Sequence, residues 1–452
     1  MYFKALSVPL LVSASVLALA GCGGSSSDDS VYPSAYIQFY NGSPNSADTD
    51  LYLGDTELGG AAYGDASGLS TVDAGDATLA LKRTDANDKV VEVMSKSITL
   101  SESHKSLFML IGDYEAPTLV EHKFERQELT DHFILYAMSA VESTNYDLYM
   151  AEAGAPFDDA NKIDSLSFGD VIEGKYWDAD SANPNWDSGD YVVFLTEPGK
   201  TEVIYESPTI KFSYDTEYTM VVRQSAGTSQ NNLSVDLIIN STTISSYKDV
   251  RAGAQYRVYN SLEEQGMTVT VKGTDTDNQD ALSSRELGEF HSVRYGDYQI
   301  SAVTAESNAS FNNRLLTLNQ GDAKTVVVYL NKEDKLTTLA FEESDLPQVY
   351  EHELNVVNLV KDYANVDIYF VRQDETVETA QYKIKRLGFA NSEDITLPSD
   401  YFEIIALHDD NSGNQTLLYR TETLAIDEAV NYMVSIEPDV SSASGYRVVL
   451  LP

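Results

Sequence analysis

The sequence predicts an all-β protein built from tandem immunoglobulin-like β-sandwiches behind a signal peptide and a flexible tether. Three observations predict it. Short aromatic and β-branched runs recur with turn residues between them, no stretch sustains a helical period, and the same ordered set of markers appears four times.

The chain begins with Lys4, an apolar run from Ala5 to Ala20, and small residues leading into Cys22, the only cysteine. A basic start, an apolar segment too short to span a bilayer and a small-residue exit have the layout of a cleaved secretory signal. Leu19-Ala20-Gly21-Cys22 resembles the lipobox of bacterial lipoproteins, whose cysteine becomes the first mature residue and carries the lipid. The resemblance implies lipidation of Cys22 with several acyl chains, including a palmitate-like one, and membrane attachment. Several chains are needed, because each buried methylene contributes about 0.8 kcal/mol and one chain anchors only marginally. Gly23 stands where lipoproteins retained at the inner membrane of Gram-negative bacteria usually carry Asp, so the resemblance implies the outer membrane. Residues 1–21 are thus read as signal and 22–34 as lipidated cysteine plus tether, with Gly23 to Ser30 a Gly/Ser/Asp-rich coil.

From Ala35 the four units occupy 35–124, 132–240, 254–343 and 353–452. Each opens with a strand: Tyr36 to Tyr40, Phe133 to Tyr136, Tyr256 to Tyr259, and Leu354 to Val357. A second strand follows at Asp50-Leu51-Tyr52-Leu53, Asp147-Leu148-Tyr149-Met150, Thr268 to Val271 and Asp367-Ile368-Tyr369-Phe370. A turn then feeds a mid-unit strand at Gly75-Asp76, Gly189-Asp190-Tyr191, Gly296-Asp297-Tyr298 and Ser399-Asp400-Tyr401; Gly tolerates positive φ and Asp bonds its own backbone, so the pair closes a turn. The fourth copy has Ser399 in the glycine place, which predicts a different turn. Three further strands close each unit, ending at Thr118 to Phe124, Leu233 to Ile239, Leu336 to Phe341 and Tyr446 to Leu451. About seven short strands per unit is the pattern of a two-sheet sandwich. The junctions at 125–131, 241–253 and 342–351 are short and polar, which predicts a semi-rigid string of separately folding beads.

The stretch Asn41-Gly42-Ser43-Pro44 through Asp50-Leu51-Tyr52-Leu53-Gly54 resembles the opening of the bacterial domain-of-unknown-function 4397 family: a strand ending in a Ser-Pro turn, then an Asp-aliphatic-Tyr strand. The resemblance is good over 35–124 and looser in the other units, which lack Ser-Pro. It implies an immunoglobulin-like fold in a secreted or lipid-anchored protein and brings no catalytic residues.

Charge narrows the function classes. Lys plus Arg number 30 against 71 Asp plus Glu, a net charge of -41, which repels phosphate backbones and anionic headgroups. Nucleic acid is excluded as a partner on that ground; cations and cationic partners suit the field. The six histidines, His104, His122, His132, His291, His352 and His408, form no metal-ligand spacing, and no nucleophile elbow or phosphate loop is present, so no enzyme activity is expected. No cofactor is required. Calcium is the one candidate ion: Asp275, Asp277 and Asp280 crowd one turn, which otherwise reads as a solvated hairpin tip lacking the Gly and distal Glu of an EF-hand.

Unit two carries added sequence. Asp147 to Asp190 is 43 positions, against 26 from Asp50 to Asp76, 29 from Thr268 to Asp297 and 33 from Asp367 to Asp400. The addition holds both tryptophans, in Tyr176-Trp177-Asp178-Ala179-Asp180 and Asn185-Trp186-Asp187. Two readings compete: a ligand site with Tyr176, Trp177 and Trp186 as platform for a glycan or protein ligand and Asp178, Asp180 and Asp187 as polar partners, or a staple fastening a long hairpin. Function at this level is a non-enzymatic envelope lipoprotein serving as surface binding, adhesion or spacer module; the alternative is a scaffolding subunit of an envelope assembly or polysaccharide system. Cys22→Ser is expected to release the protein from the membrane fraction, as sedimentation and immunoblotting will read; a variant that pellets as fully as wild type sinks the anchor.

Overall fold

The computed structural model describes residues 33–452 except 45, 85–88, 114–115, 179–183, 225–232, 344–350, 411, 413 and 427–430. Cys22 and the tether lie outside the described residues. Among those described, the chain is all β, with one 3-10 turn at Phe157–Asp159 and no helix long and apolar enough to cross a membrane.

Eight sheets pair into four sandwiches. In domain 1 the first sheet centres on Ser34–Gly42 and His104–Ile111, with Thr118–Glu125 beyond; the second centres on Thr49–Leu53 and Gly75–Thr84. The other three repeat this plan. In each, the opening strand runs parallel to the penultimate one (Phe39 opposite Phe108, Met138 opposite Val221, Val258 opposite Val326, Val356 opposite Val434), while the remaining pairs are antiparallel. That parallel pair joins the two ends of each unit's sequence, so a domain closes only when its late strands return to its opening one. Inward residues of both sheets fill the core, as with Ile37, Phe39, Leu51, Leu79, Leu81, Phe108 and Leu110 in domain 1.

A fifth marker joins those read from sequence. Asn41, Asn260 and Asn358 end the opening strands, fully buried, each Nδ2 donating to a carbonyl at the end of the third strand (Ala61, Ser283 and Leu387, at 3.2, 2.7 and 2.8 Å). Each Oδ1 accepts the backbone N–H two residues on, from Ser43, Leu262 and Val360. Ser139 stands in this place in domain 2 and its hydroxyl accepts from Val141 N. The Asp of the Asp-x-Tyr marker is structural too: Asp147 is bound by Lys162, Ser165 and Gly199 N, and Asp367 by Lys385 and Arg386 N.

The string-of-beads expectation is corrected. The outer face of the first sheet in domain 1 packs on the equivalent face in domain 2, burying Tyr40, Leu107, Met109 and Ile111 against Met138, Ala140, Val221 and Ile238. Domains 3 and 4 repeat the arrangement with Tyr259, Val327, Tyr329 and Phe341 against Val357, Leu359 and Met433. The stretch 241–253, read as a plain junction, contributes Ser245–Lys248 as an edge strand of domain 2. A buried tyrosine hydroxyl bridges each pair: Tyr40 donates to Asp236 Oδ2 at 2.8 Å and Tyr259 to Glu437 Oε2 at 3.0 Å. Asp236, with no exposure, also accepts from Arg223 Nε and Ser246 Oγ at 2.6 Å each. Glu437 has the Nε of Arg285 and of Arg447 each 3.4 Å from its Oε1, and Ser435 Oγ at 3.1 Å from Oε2.

Odd and even domains differ in the turn joining the second and third strands. Gly54 and Asp55 make it in domain 1 and residues 273–276 in domain 3, but 153–160 and 372–381 do so in domains 2 and 4. The longer loops fold back over the outer face of the second sheet: Ala155, Phe157 and Ala160 cover Ala151, Val192 and Phe194, and Val377 and Ala380 cover Tyr369, Ile405 and Leu407. The chain is therefore a two-domain module repeated twice.

Burial pushes the Glu437 carboxyl up from 4.5 to about 7, against the opposing pull of Arg447, Tyr259, Ser435 and Arg285. A raised carboxyl contributes stability that is complete below 4.5 and lost as pH rises through about 7. Protection factors across residues 432–437, which divide out the pH dependence of free-amide exchange, are accordingly expected to fall between those values, and Glu437→Gln is expected to flatten that fall.

Candidate functional site

In every domain the marker turn opens the central strand of the second sheet, at one end of the sandwich. Gly75 and Gly296 sit at φ +138° and +150°, where an L side chain is strained, so glycine is required there. Domains 2 and 4 make the turn without such a φ, which is why Ser399 is accepted. Tyr191 and Tyr298 each bury their ring and donate the hydroxyl to the carbonyl four residues back, at Asp187 and Arg294. Domain 4 is offset by one position: Phe402 fills the core place, and Tyr401 points out at 62% exposure. A one-residue shift in a strand exchanges its faces.

Clefts lie at this same end. In domain 4, Arg372, Glu375, Asp400, Tyr401, Glu403 and Arg420 line a hollow of about 740 Å³. Arg372 lies 2.9 Å from Asp400 and over the rings of Tyr382 and Phe402 at 5.3 and 5.7 Å, while Arg420 Nε donates to Glu403 at 2.8 Å. In domain 3, Thr274, Asp275, Thr276, Arg294 and Tyr295 line a hollow of about 420 Å³, with Tyr295 half exposed. A third cleft, about 260 Å³, opens between domains 3 and 4 beside Leu262, Glu263, Tyr329, Leu359 and Lys361. Exposed tyrosines framed by paired charges suit the flat face of a sugar or a cationic group.

The added loop of domain 2 is at the matching end. Trp186 has no exposure; its Nε1 donates to Gly174 O at 2.6 Å, and its ring meets Phe133, Tyr176, Trp177 and Tyr191. Trp177 and Tyr176 are half-buried against that core. Asp178 is exposed, Asp180 lies outside the described residues, and Asp187 Oδ1 is 3.0 Å from His132 Nδ1. The structure thus brings Tyr176, Trp177 and Trp186 into one aromatic cluster, with Trp186 inside the domain.

The three carboxylates of the domain 3 turn are not brought together. Asp275 lies 3.6 Å from Arg294, Asp277 3.4 Å from Lys272 and Asp280 2.9 Å from His291. Among the described residues no three His, Cys, Asp or Glu side chains converge on one point. The histidines are likewise dispersed: His122 is half-buried, and desolvation reinforced by the charge of Lys105 pushes it down to about 4; His352 meets Ser399, and His408 meets Asn365 O.

Residues 35–127 match the family model described as Domain of unknown function (DUF4397). The first sandwich is a DUF4397 domain. No curated protein matches the chain. Among solved structures, the chain is similar to the Bacillus anthracis TIE protein, at 8% identity over 89% of this chain and 68% of that one, with a TM-score of 0.15. It is similar also to a candidate cell adhesion protein from Bacteroides ovatus ATCC 8483, at 9% identity over 49% and 99%, TM-score 0.21. A third is the FN1–FN3 segment of chicken CNTN1, at 11% identity over 68% and 97%, TM-score 0.12. Ser43 of the Ser43-Pro44 turn is a packing residue: its Oγ donates to Gly112 O at 2.6 Å and ties the first loop to the end of the penultimate strand.

Trp186→Ala is expected to cost about 3–5 kcal/mol, as for other buried aromatics truncated in a core, and Trp177→Ala clearly less. Urea denaturation followed by circular dichroism measures both.

Proposed function

We propose that the protein is a non-enzymatic lipoprotein of the cell envelope, held at the outer membrane through Cys22, whose paired sandwiches present a binding or adhesion surface. The carrying observation is the pair of open hollows at one end of domains 3 and 4, each with an exposed tyrosine, Tyr295 or Tyr401, beside arginine and carboxylate. Their charged groups are already paired with one another, as Arg372 with Asp400 and Arg420 with Glu403, which favours recognition over turnover. A net charge of -41 keeps such a body soluble and off an anionic surface.

The test is titration of the soluble body with a panel of glycans, comparing wild type with Tyr295→Ala and Tyr401→Ala. Removing a stacking ring is expected to weaken binding about two- to tenfold, given about 0.5–1.5 kcal/mol per aromatic contact, with unchanged circular dichroism. If no glycan binds and a stoichiometric envelope protein co-purifies from membranes instead, the scaffolding reading replaces this one.

A further inference from the structure

The contact between domains 1 and 2 contains one arrangement that packing does not explain. Lys105 lies on the penultimate strand of domain 1, only 1% exposed, and extends into domain 2. A buried ammonium is costly unless a carboxylate pairs with it. Here Nζ donates instead to a neutral carboxamide, Asn240 Oδ1, at 3.0 Å and 135 positions along the chain. The Phe124 ring lies 5.8 Å from Nζ, and His122 and Tyr136 pack against that ring, so aromatic groups line one side of the amine. Glu217, 3% exposed, is the acidic group whose charge acts most on Lys105.

Asn240 is wired to that same glutamate. Its Nδ2 donates to Thr216 Oγ1 at 3.3 Å, and Thr216 Oγ1 donates to Glu217 Oε2 at 3.3 Å. Glu217 Oε1 is held by Gln127 N at 3.0 Å. An amine, an amide carbon, a carboxylate and a hydroxyl bridge between carboxylate and amide nitrogen are thus assembled across a domain boundary. Burial, opposed by Glu217 and reinforced by Arg126, brings the Lys105 ammonium down to about 7, so the neutral amine is well populated at physiological pH.

We propose that Lys105 and Asn240 form an intramolecular isopeptide bond that joins domain 1 to domain 2, with Glu217 as the proton shuttle. The Nζ lone pair attacks Asn240 Cγ, and negative charge moves onto Oδ1. Nζ gives up one proton into the hydrogen-bonded chain of Asn240, Thr216 and Glu217, and that chain delivers one through the Thr216 hydroxyl to Nδ2. The Cγ–Nδ2 bond breaks, ammonia leaves, and the Nζ–Cγ amide remains. One amide is exchanged for another, so no oxidant or cofactor enters. Fixed proximity supplies much of the barrier reduction, and the burial of Lys105 and Glu217 keeps bulk water from the attacking amine.

The arrangement belongs to the first module alone. Tyr36, four residues before Tyr40, lies opposite Lys105, whereas Gln255, four before Tyr259, lies opposite Ala323.

Peptide mapping of the purified mature protein by tandem mass spectrometry tests this. The expected product is a branched tryptic peptide uncleaved after Lys105, joined at Asn240, and lighter than the two chains together by one ammonia. Lys105→Met and Asn240→Ala are expected to abolish it. Glu217→Gln is expected to leave a folded protein in which Lys105 and Asn240 are recovered mostly unlinked, separating proton transfer from positioning. Recovery of both residues from wild type in linear peptides of unmodified mass overturns the proposal, whether or not any variant folds.

Discussion

The architecture depends on a sheet buried on both faces. In each domain the opening and penultimate strands turn one side chain inward to their own core and the next outward to a neighbouring domain, so that Phe108 and Leu110 fill domain 1 while Leu107, Met109 and Ile111 meet domain 2. Such a strand has no solvent side. The outward polar groups must then find partners within the contact, and Tyr40, Asp236, Arg223 and Ser246 do so together. Removing one member would leave a buried charge or hydroxyl unpaired, which costs more than the bond itself returns.

That constraint was written in the sequence as the uninterrupted apolar runs Leu107–Ile111 and Phe133–Ala137. A strand with one wet face alternates, and a run without alternation demands cover on both sides. Reading those runs only as strong strands located them correctly and missed the pairing of domains. The markers at Gly75-Asp76, Gly189-Asp190 and Gly296-Asp297 were legible because turn chemistry is local. Tyr401 was not, because the one-position offset that sends it outward and Phe402 inward is decided by the partner strand. The unequal spacings from second to mid-unit strand held more than the tryptophan loop: the two short ones are the odd domains and the two long ones the even domains, whose extra residues cover the second sheet.

Candidate sites were harder to read, since side-chain direction is set by packing. Asp275, Asp277 and Asp280 look like a cluster in one dimension, yet each faces a different partner, Arg294, Lys272 and His291. Trp186 looked available for a ligand in a polar stretch, but its indole N–H is spent on Gly174 O inside the core. Conversely, nothing local marked Lys105, Glu217 and Asn240, which come from two domains.

The parallel pairing of opening and penultimate strands places both chain ends of a domain side by side. In domain 1, Tyr36 lies opposite Lys105, which lies opposite Phe124, so the chain arrives and departs at the same end of one sheet. Tension between those ends would peel the sheet open from that end, rupturing hydrogen bonds one after another instead of shearing them together. Mechanical strength at that end cannot come from the ladder, and must come from what crosses to the neighbouring domain at the level of Lys105.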